Sequence, residues 1–256
     1  MPSELSNKVV VLTGGGDGIG AECAVAYARE GASVAILDRN LQAAEEVASR
    51  VGERSIAIRA DVADGATVEH AITHVLNHFG RIDAVHNNAG VAHPSLPLHE
   101  TSETEWDHLF AVNLKSVYWT TRFTFSALSA SKGAILNTAS MVGLIGQPDH
   151  AAYVATKGAL ISLTKAMAAD YAQYSIRVNA ICPAAVLTPM LERWCEEQSD
   201  PATTRQLLDS IHLLGPAPRG DVIADVAVFL LSHRSRFMTG CIVPVSGGAE
   251  LGYRRS

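Results

Sequence analysis

The sequence has little of what a disulfide framework or a nucleic-acid surface requires. Only four of its 256 residues are cysteine, and none of them form a C-x-x-C pair. Charged residues make up 18% of the chain, the formal net charge is -6, and no basic run or stripe is present. Scattered cysteines are typical of free thiols. An acidic balance without a basic stripe argues against a nucleic-acid partner.

Long apolar runs are also missing. No run reaches the roughly 18 residues that a membrane span requires. The first residues, Met-Pro-Ser-Glu-Leu-Ser-Asn-Lys, contain no apolar stretch of the kind that secretory signals carry. We therefore expect no membrane partner and a cytoplasmic location. The hydrophobic content is nevertheless 48%, which is ample for one large core.

Short apolar runs alternate with helical patterns along the chain. Such alternation predicts a parallel sheet with helices on both faces. We expect one doubly wound Rossmann domain of the α/β class over residues 1–256, with a seven-stranded parallel sheet. Helical patterns cover Ala21–Glu30, Leu41–Val51 and Ala66–Phe79. The predicted strands are Val9–Leu12, Ser33–Leu37, Ser55–Arg59, Ala84–Asn87, Ala134–Asn137, Arg177–Ile181 and Cys241–Val245.

One segment, residues 188–218, breaks this alternation. It is helix-like but interrupted by Pro189, Pro201, Gly215, Pro216 and Pro218. An insertion after the sixth strand leaves the carboxyl edge of the sheet, where ligands of such folds bind. The segment is either a substrate lid or a plain surface helical hairpin.

A glycine cluster follows the first predicted strand. In Thr13-Gly-Gly-Gly-Asp-Gly-Ile-Gly20, three glycines (Gly14, Gly18, Gly20) allow a tight turn and close approach of the backbone to a pyrophosphate. The N-terminus of the helix behind them supplies free N–H groups and a positive dipole end. This cluster predicts a dinucleotide site.

An acidic residue ends the second predicted strand. Asp38 lies 18 residues after Gly20, where a carboxylate accepts the ribose hydroxyls of an adenosine. A 2′-phosphate would be repelled there, and Asp17 adds a second negative charge. Arg39 is the nearby cation that leaves some tolerance for NADP. We therefore predict NAD as the cofactor.

Tyr153 and Lys157 are four residues apart, and Ser140 precedes the tyrosine by 13 residues. Side chains at i and i+4 share one face of a helix, so a phenol is expected beside an ammonium. A cation about 4 Å away would lower the phenol pKa by up to roughly three units. We therefore expect Tyr153 to act as a general acid/base near neutral pH.

Taken together, these elements resemble the short-chain dehydrogenase/reductase family over essentially the whole chain. The order and spacing of the elements carry the resemblance. They are Thr13-Gly-x-x-x-Gly-Ile-Gly20, Asp61-Val62, Asn87-Asn-Ala-Gly90, Asn113, Ser140, Tyr153-x-x-x-Lys157 and Pro183…Thr188.

The resemblance implies a hydride-transferring enzyme that interconverts a secondary alcohol and a carbonyl. Tyr153 would exchange the proton, Ser140 would hold the substrate oxygen, and Lys157 would bind the nicotinamide ribose. Asn113 would hold a water that links Lys157 to solvent. The implied cofactor-binding set is Gly14, Asp17, Gly18, Ile19, Gly20, Asp38, Arg39, Asp61, Val62, Asn87, Ala89, Gly90, Tyr153, Lys157, Pro183, Val186 and Thr188.

The chain departs from the family pattern in two places. Pro183-Ala184 replaces the usual Pro-Gly, which places a methyl group near the nicotinamide and implies a local change of the loop. Ala139-Ser140 replaces the usual Ser-Ser, but the serine that matters is the second one.

The C-terminal half resembles a subgroup that includes L-fucose dehydrogenases and the type-14 17β-hydroxysteroid dehydrogenase. That resemblance implies a sugar, such as L-fucose, or another secondary alcohol as substrate. The candidate pocket residues are His93, Gln147, His150, Trp194 and, from a neighbouring subunit, Tyr253. Each of them is equally compatible with a solvated loop position.

Other functions remain as alternatives. A 3-oxoacyl-carrier-protein reductase would favour NADP and a basic patch, and a dinucleotide-binding sensor would not need Ser140, Tyr153 and Lys157 together. Ser140 lacks the G-x-S-x-G context of a serine hydrolase. We interpret His70, His74 and His78 as a solvated helix face rather than a metal site. The apolar segments Glu103–Leu128 and Ala151–Tyr171 predict helix pairing in a homotetramer.

Overall fold

A computed structural model describes residues 3–93 and 95–251, so the candidate pocket residue Tyr253 lies outside the described residues. Seven parallel strands form one sheet in the order β3-β2-β1-β4-β5-β6-β7, which confirms the predicted architecture. The strands are β1 (Val9–Thr13), β2 (Ser33–Asp38), β3 (Ser55–Arg59), β4 (Ala84–Asn87), β5 (Ala134–Thr138), β6 (Arg177–Pro183) and β7 (Ile242–Val245).

Helices cover both faces of the sheet. Short polar side chains begin several of them. Asn40 accepts a hydrogen bond from Ala43 N, and Ser102 and Glu105 form a reciprocal capping box. The helices are α1 (Gly18–Arg29), α2 (Leu41–Val51), α3 (Gly65–Phe79), α4 (Glu103–Phe110), α5 (Ser116–Ser131), α6 (Val142–Ile145), α7 (Ala151–Tyr171), α8 (Pro189–Glu196), α9 (Pro201–Ser210) and α10 (Asp221–Leu231).

The core consists of two apolar layers, one on each side of the sheet. Val10 and Leu12 of β1 pack with α1 and α10, whereas Val9 and Val11 pack on the side of α3, α5 and α7. Successive residues of a strand point to opposite faces, so strands that are covered on both faces are apolar at nearly every position. This explains the continuous apolar runs in the sequence.

The predicted helical segment Glu103–Leu128 is not one regular α-helix. Residues Ala111–Lys115 form a π-helical turn between α4 and α5. A π turn inserts an extra residue and redirects the side chains around it, and such turns are frequent at functional sites. Here the turn contains Asn113, whose side chain is buried.

The carboxyl ends of the strands meet at one edge of the sheet. Thr13, Asp38, Asn87, Thr138 and Pro183 are the last residues of five strands. The strand order reverses between β1 and β4, which creates the crevice where ligands of doubly wound sheets bind. The candidate site described next lies at this edge.

Candidate functional site

The glycine loop joins β1 to α1 and leaves room only for hydrogen at its key positions. Gly14 and Gly18 have φ values of 62° and 52°, a region that favours glycine. A Cβ on Gly14 would lie 2.7 Å from Ala89 Cα, and one on Gly20 would lie 2.0 Å from Gly14 O. Asp17 directly precedes α1 and is exposed, and Ile19 lies in the first turn of α1. The loop and the start of α1 form a cradle of backbone N–H groups suited to a pyrophosphate.

Asp38 lies at the end of β2 beside this loop. One carboxylate oxygen accepts a hydrogen bond from Gly16 N at 2.9 Å, and the other accepts one from Asn40 N at 2.9 Å. These two donors hold the carboxylate at the mouth of the crevice. Arg39 is exposed next to it. A ribose with free hydroxyls fits this arrangement, because the carboxylate retains acceptor capacity.

The loops after β3 and β4 extend the crevice. Val62 is buried, and the exposed Asp61 accepts a hydrogen bond from Ala63 N at 2.9 Å. Ala89 N donates to Thr13 Oγ1 at 3.1 Å, which brings the loop after β4 against the end of β1. A Cβ on Gly90 would lie 3.4 Å from both Asn113 Oδ1 and Lys157 Nζ. Residues from the predicted cofactor and catalytic sets therefore lie close together here.

Asn87 differs from its neighbours, because its side chain is buried beneath the crevice rather than lining it. It accepts from Thr120 Oγ1 at 2.7 Å and donates to Asn137 Oδ1 at 2.9 Å. Asn137 in turn donates to Thr164 Oγ1 at 2.9 Å. Because its side chain is engaged in these hydrogen bonds, Asn87 could contact a cofactor only through its main chain. Asn88, the second asparagine of the Asn87-Asn-Ala-Gly90 motif, donates from its amide nitrogen to Gly14 O at 3.0 Å and so ties the loop after β4 to the glycine loop.

The predicted catalytic residues come from three elements. Ser140 follows β5, Tyr153 and Lys157 lie on α7, and Asn113 lies in the π turn. Lys157 Nζ donates to Thr138 O at 2.9 Å and lies 5.7 Å from the centre of the Tyr153 ring. The Ser140 hydroxyl accepts from Val142 N at 3.4 Å.

Three hydrogen bonds fix the side chain of Asn113. Its side chain accepts from Val91 N and donates to Val91 O, both at 2.8 Å, and donates to Thr156 Oγ1 at 3.1 Å. Thr156 Oγ1 donates to Tyr153 O at 2.7 Å. The π turn is thereby tied both to the loop after β4 and to α7.

The expected lowering of the Tyr153 pKa by Lys157 is wrong for this structure. Burial raises the pKa of the Tyr153 phenol above its usual value, and hydrogen bonding with Ser140 acts in the opposite direction. Burial also lowers the pKa of Lys157 to about 8. Helical spacing places the two residues on one face, but the ammonium points to the Thr138 carbonyl instead of the phenol oxygen.

The segment after β6 closes one end of the crevice. Pro183 ends β6, and its carbonyl accepts from Met141 N at 2.9 Å. Val186 is buried. Thr188 caps α8 by accepting from Leu191 N at 3.2 Å, and its methyl group would lie 3.1 Å from a Cβ on Gly18. Thr188 therefore lies directly over the glycine loop.

A polar cluster lies beside Tyr153. The ring centres of His150 and Tyr153 are 6.4 Å apart, and His150 Nε2 is 3.0 Å from Ser95 Oγ. Trp194 Nε1 of α8 donates to the same Ser95 oxygen at 2.7 Å, and Gln147 Nε2 lies 3.3 Å from His150 Nδ1. Sequence reasoning missed Ser95, because its partner Trp194 is 99 positions away along the chain.

The remaining candidate pocket residue, His93, is exposed. Its Nε2 lies 3.3 Å from Glu197 Oε2, just beyond the end of α8. Among the described residues, His93 and Ser95 of the loop after β4 both make polar contacts with the α8 region.

The three histidines of α3 do not form a site with other ligands. His70, His74 and His78 are all exposed on that helix. Across residues 3–93 and 95–251, no group of three His, Cys, Asp or Glu side chains is arranged to hold a metal ion. Within those same ranges, no helix is both long and apolar enough to cross a bilayer.

The chain is similar to known proteins over nearly its whole length. A family model described as enoyl-(acyl carrier protein) reductase matches residues 14–250. The chain is similar to L-fucose dehydrogenase of Bos taurus, with 38% identity over 100% of this chain and 94% of the relative. It is also similar to 2,5-dichloro-2,5-cyclohexadiene-1,4-diol dehydrogenase of Sphingobium indicum, with 36% identity over 96% of this chain and 98% of the relative.

A solved structure is similar at the level of the fold. The 3-ketoacyl-(acyl-carrier-protein) reductase of Brucella melitensis, complexed with NADH, superposes with a TM-score of 0.89 at 34% identity. The match covers 96% of this chain and 100% of that chain. The three proteins are all named as dehydrogenases or reductases, and the substrates in their names differ.

Proposed function

The chain belongs to the short-chain dehydrogenase/reductase family, and from that premise we propose that it oxidises a secondary alcohol of a small polyhydroxylated molecule, such as the sugar L-fucose, with NAD. Family membership makes it an oxidoreductase that acts on CH–OH groups with a nicotinamide dinucleotide. The finer assignment is carried by one observation, the polar cluster of Gln147, His150, Ser95 and Trp194 beside Tyr153.

The preference for NAD rests on Asp38. Its carboxylate is held beside the glycine loop by Gly16 N and Asn40 N, so it cannot easily turn away from a bound ribose. A 2′-phosphate at that position would meet a fixed negative charge at hydrogen-bonding distance. The exposed Arg39, directly after Asp38, is the positive charge that would partly offset this repulsion.

The proposed chemistry divides between cofactor and protein. When bound, NAD supplies the acceptor for the hydride that leaves the alcohol carbon. Tyr153 in its phenolate form accepts the proton of the alcohol oxygen. Ser140, whose hydrogen bonding opposes the effect of burial on the Tyr153 pKa, holds the same oxygen in place. Lys157 supplies a positive charge on the same face of α7, and Asn113 keeps the neighbouring loop and helix in register.

We assign residues 188–218 as a substrate lid. Trp194 of α8 reaches across to Ser95, and Ser95 also meets His150, so this contact joins the segment to the loop after β4 directly beside Tyr153. A plain surface hairpin would not require a polar contact at that place. A sugar offers several hydroxyls to these donors and acceptors, which a steroid largely lacks.

The test is NADH formation over a panel of substrates, with NAD and NADP run in parallel. The panel contains L-fucose, other aldoses, polyols, cyclic diols and 17β-hydroxysteroids, together with NADH-dependent reduction of a 3-oxoacyl thioester. We expect turnover of a sugar or polyol with NAD. A preference for the thioester or a steroid would overturn the substrate assignment, and a preference for NADP would overturn the role of Asp38.

The control variant in this panel is Tyr153→Phe, which keeps the ring and removes only the hydroxyl. Loss of a general acid/base costs about 100-fold or more in rate, so we expect turnover to fall by at least that factor. Binding of NADH, followed by its fluorescence, should stay near the wild-type level. Normal turnover by this variant would refute the assigned role of Tyr153.

A further inference from the structure

A chain of buried polar side chains runs behind the site, from α1 through β4 and β5 to the glycine loop. Tyr27 and His86 are completely buried, and Thr138 is 8% exposed. The Tyr27 hydroxyl lies 2.8 Å from His86 Nδ1, and His86 Nε2 lies 2.9 Å from Thr138 Oγ1. Thr138 Oγ1 donates to Asn88 Oδ1 at 3.3 Å, and Asn88 Nδ2 donates to Gly14 O at 3.0 Å.

The direction of every hydrogen bond in this chain follows from its last member. Gly14 O and Thr13 O can only accept, so the Asn88 atom that faces them is the nitrogen. Asn88 Oδ1 then has to accept, and the single proton of the Thr138 hydroxyl is used for it. Thr138 Oγ1 must therefore accept from His86 Nε2–H.

The imidazole carries only one proton, because burial lowers the pKa of His86 to about 3. With that proton on Nε2, Nδ1 is an acceptor and takes the hydroxyl proton of Tyr27. Tyr27, His86, Thr138 and Asn88 thus each donate towards the glycine loop. Reversing one bond would leave two like groups facing each other in a dry interior.

The Asn88 end of this series of hydrogen bonds packs closely against the glycine loop. A Cβ on Gly20 would lie 2.8 Å from Asn88 Nδ2, and one on Gly14 would lie 2.7 Å from Ala89 Cα. The loop after β4 and the glycine loop are therefore in direct contact, and a displaced Asn88 amide would move the Gly14 carbonyl.

We propose that Tyr27 and His86 are positioning residues for the dinucleotide site, which they fix through the hydroxyl of Thr138 and the amide of Asn88. Neither residue touches the crevice, because both are completely buried on the α1 side of the sheet. They act by permitting only one orientation of the Asn88 side chain. This proposal depends on the proposed function in one respect, which is that the protein binds NAD(H).

The test measures the NADH dissociation constant and, separately, KM for NAD and kcat. Thr138→Val keeps the shape of the side chain and removes the hydroxyl, and we expect it to raise the dissociation constant and KM about fivefold, the value of one hydrogen bond. We expect kcat to change less than twofold. Thr138→Ser restores the hydroxyl and should restore wild-type binding. Tyr27→Phe, at the far end, should raise the dissociation constant by about twofold to fivefold.

The matched control is Thr124→Val. Thr124 is also completely buried, but its hydroxyl donates only to Thr120 O one turn earlier in its own helix. It should leave NADH binding unchanged. Unchanged binding in folded Thr138→Val, or equal loss in Thr138→Ser, would overturn the proposal. If Thr138→Val does not fold, Tyr27→Phe decides, and wild-type binding by that variant would overturn it. Failure of the wild-type protein itself to bind NADH would instead refute the proposed function.

Discussion

At the scale of single residues, the most unusual group is a buried lysine. Lys157 is 4% exposed and donates to one main-chain carbonyl, and burial lowers its pKa to about 8 from 10.5. A cation held in this environment costs stability that an apolar side chain would not. The residue is thus retained for its charge at the site and not for the fold.

This cost can be measured with Lys157→Met. Below about pH 8 the lysine is charged in both the folded and the unfolded chain, so the full penalty applies and the variant should be the more stable. Between about pH 8 and about pH 10.4 only the unfolded chain keeps the proton, so wild-type stability rises with pH. The difference, at most about 3 kcal/mol, should shrink over that range.

Thermal or denaturant unfolding of both proteins at several pH values checks this expectation. A stability difference that is independent of pH between these limits would contradict the buried charge. Because Lys157 lies in the candidate site, the variant should also lose turnover. The same substitution is thus expected to raise stability and lower activity.

The sequence predicts these residues well where a local spacing or an ordered motif carries them. The i, i+4 spacing places Tyr153 and Lys157 on one face of α7, and the glycine motif places the cradle. The sequence does not predict which group the end of a long side chain contacts. The predicted lowering of the Tyr153 pKa therefore has the wrong direction. The sequence also does not predict partners distant along the chain, such as Ser95 for Trp194 or Tyr27 for His86.

At the scale of elements, the strand bounds agree with the sequence prediction to within two residues and the bounds of the first three helices to within three, because period-2 and period-3.6 patterns define them directly. The π turn at Ala111–Lys115 was missed, since one extra residue hardly disturbs an apolar pattern. The proposed lid helix α8 is connected to the loop after β4 by a hydrogen bond from Trp194 to Ser95.

That contact gives a prediction for the lid. Trp194→Phe keeps an aromatic ring but removes the indole N–H, and the loss of one hydrogen bond should raise KM for the alcohol about fivefold. NADH binding should not change, because the contact lies on the substrate side of the crevice. Steady-state kinetics and NADH fluorescence check both statements.

Trp106→Phe is the matched control. Trp106 stacks on Phe110 within α4, with ring centres 4.5 Å apart, and takes no part in the polar cluster. Its KM should equal that of the wild type. An unchanged KM in Trp194→Phe would show that α8 is only a surface hairpin.

At the scale of the whole molecule, α5 and the turn after α7 present aromatic side chains to the outside. Tyr118 is 50% and Tyr174 is 41% exposed. The ring of Tyr118 lies 4.7 Å from that of Trp119, and the ring of Tyr174 lies 5.0 Å from that of Phe125. An exposed aromatic face of this kind is typical of a protein–protein contact. It supports the proposed homotetramer, in which these helices would pair between chains.

Light scattering tests the assembly. Four chains of 27.1 kDa should give a mass of about 108 kDa, and Tyr118→Glu should lower it by placing a charge in the contact. Leu98→Glu, which changes an exposed leucine outside α5 and α7, is the control and should keep the wild-type mass. A wild-type mass of a single chain would refute the assembly.

The buried amides of Asn87 and Asn137 also act on the way the sheet forms. The two residues face each other in the register of β4 and β5, and they bond to each other and to Thr120 and Thr164. Around them, neighbouring residues such as Val85 and Ile135 are apolar and would tolerate a shifted pairing. A slip by two residues would keep every side chain on its own face of the sheet. It would still separate the two amides and leave them unpaired in a dry core, at about 1–3 kcal/mol for each unsatisfied group. The two amides therefore favour the native register of β4 and β5 over shifted pairings while the chain folds.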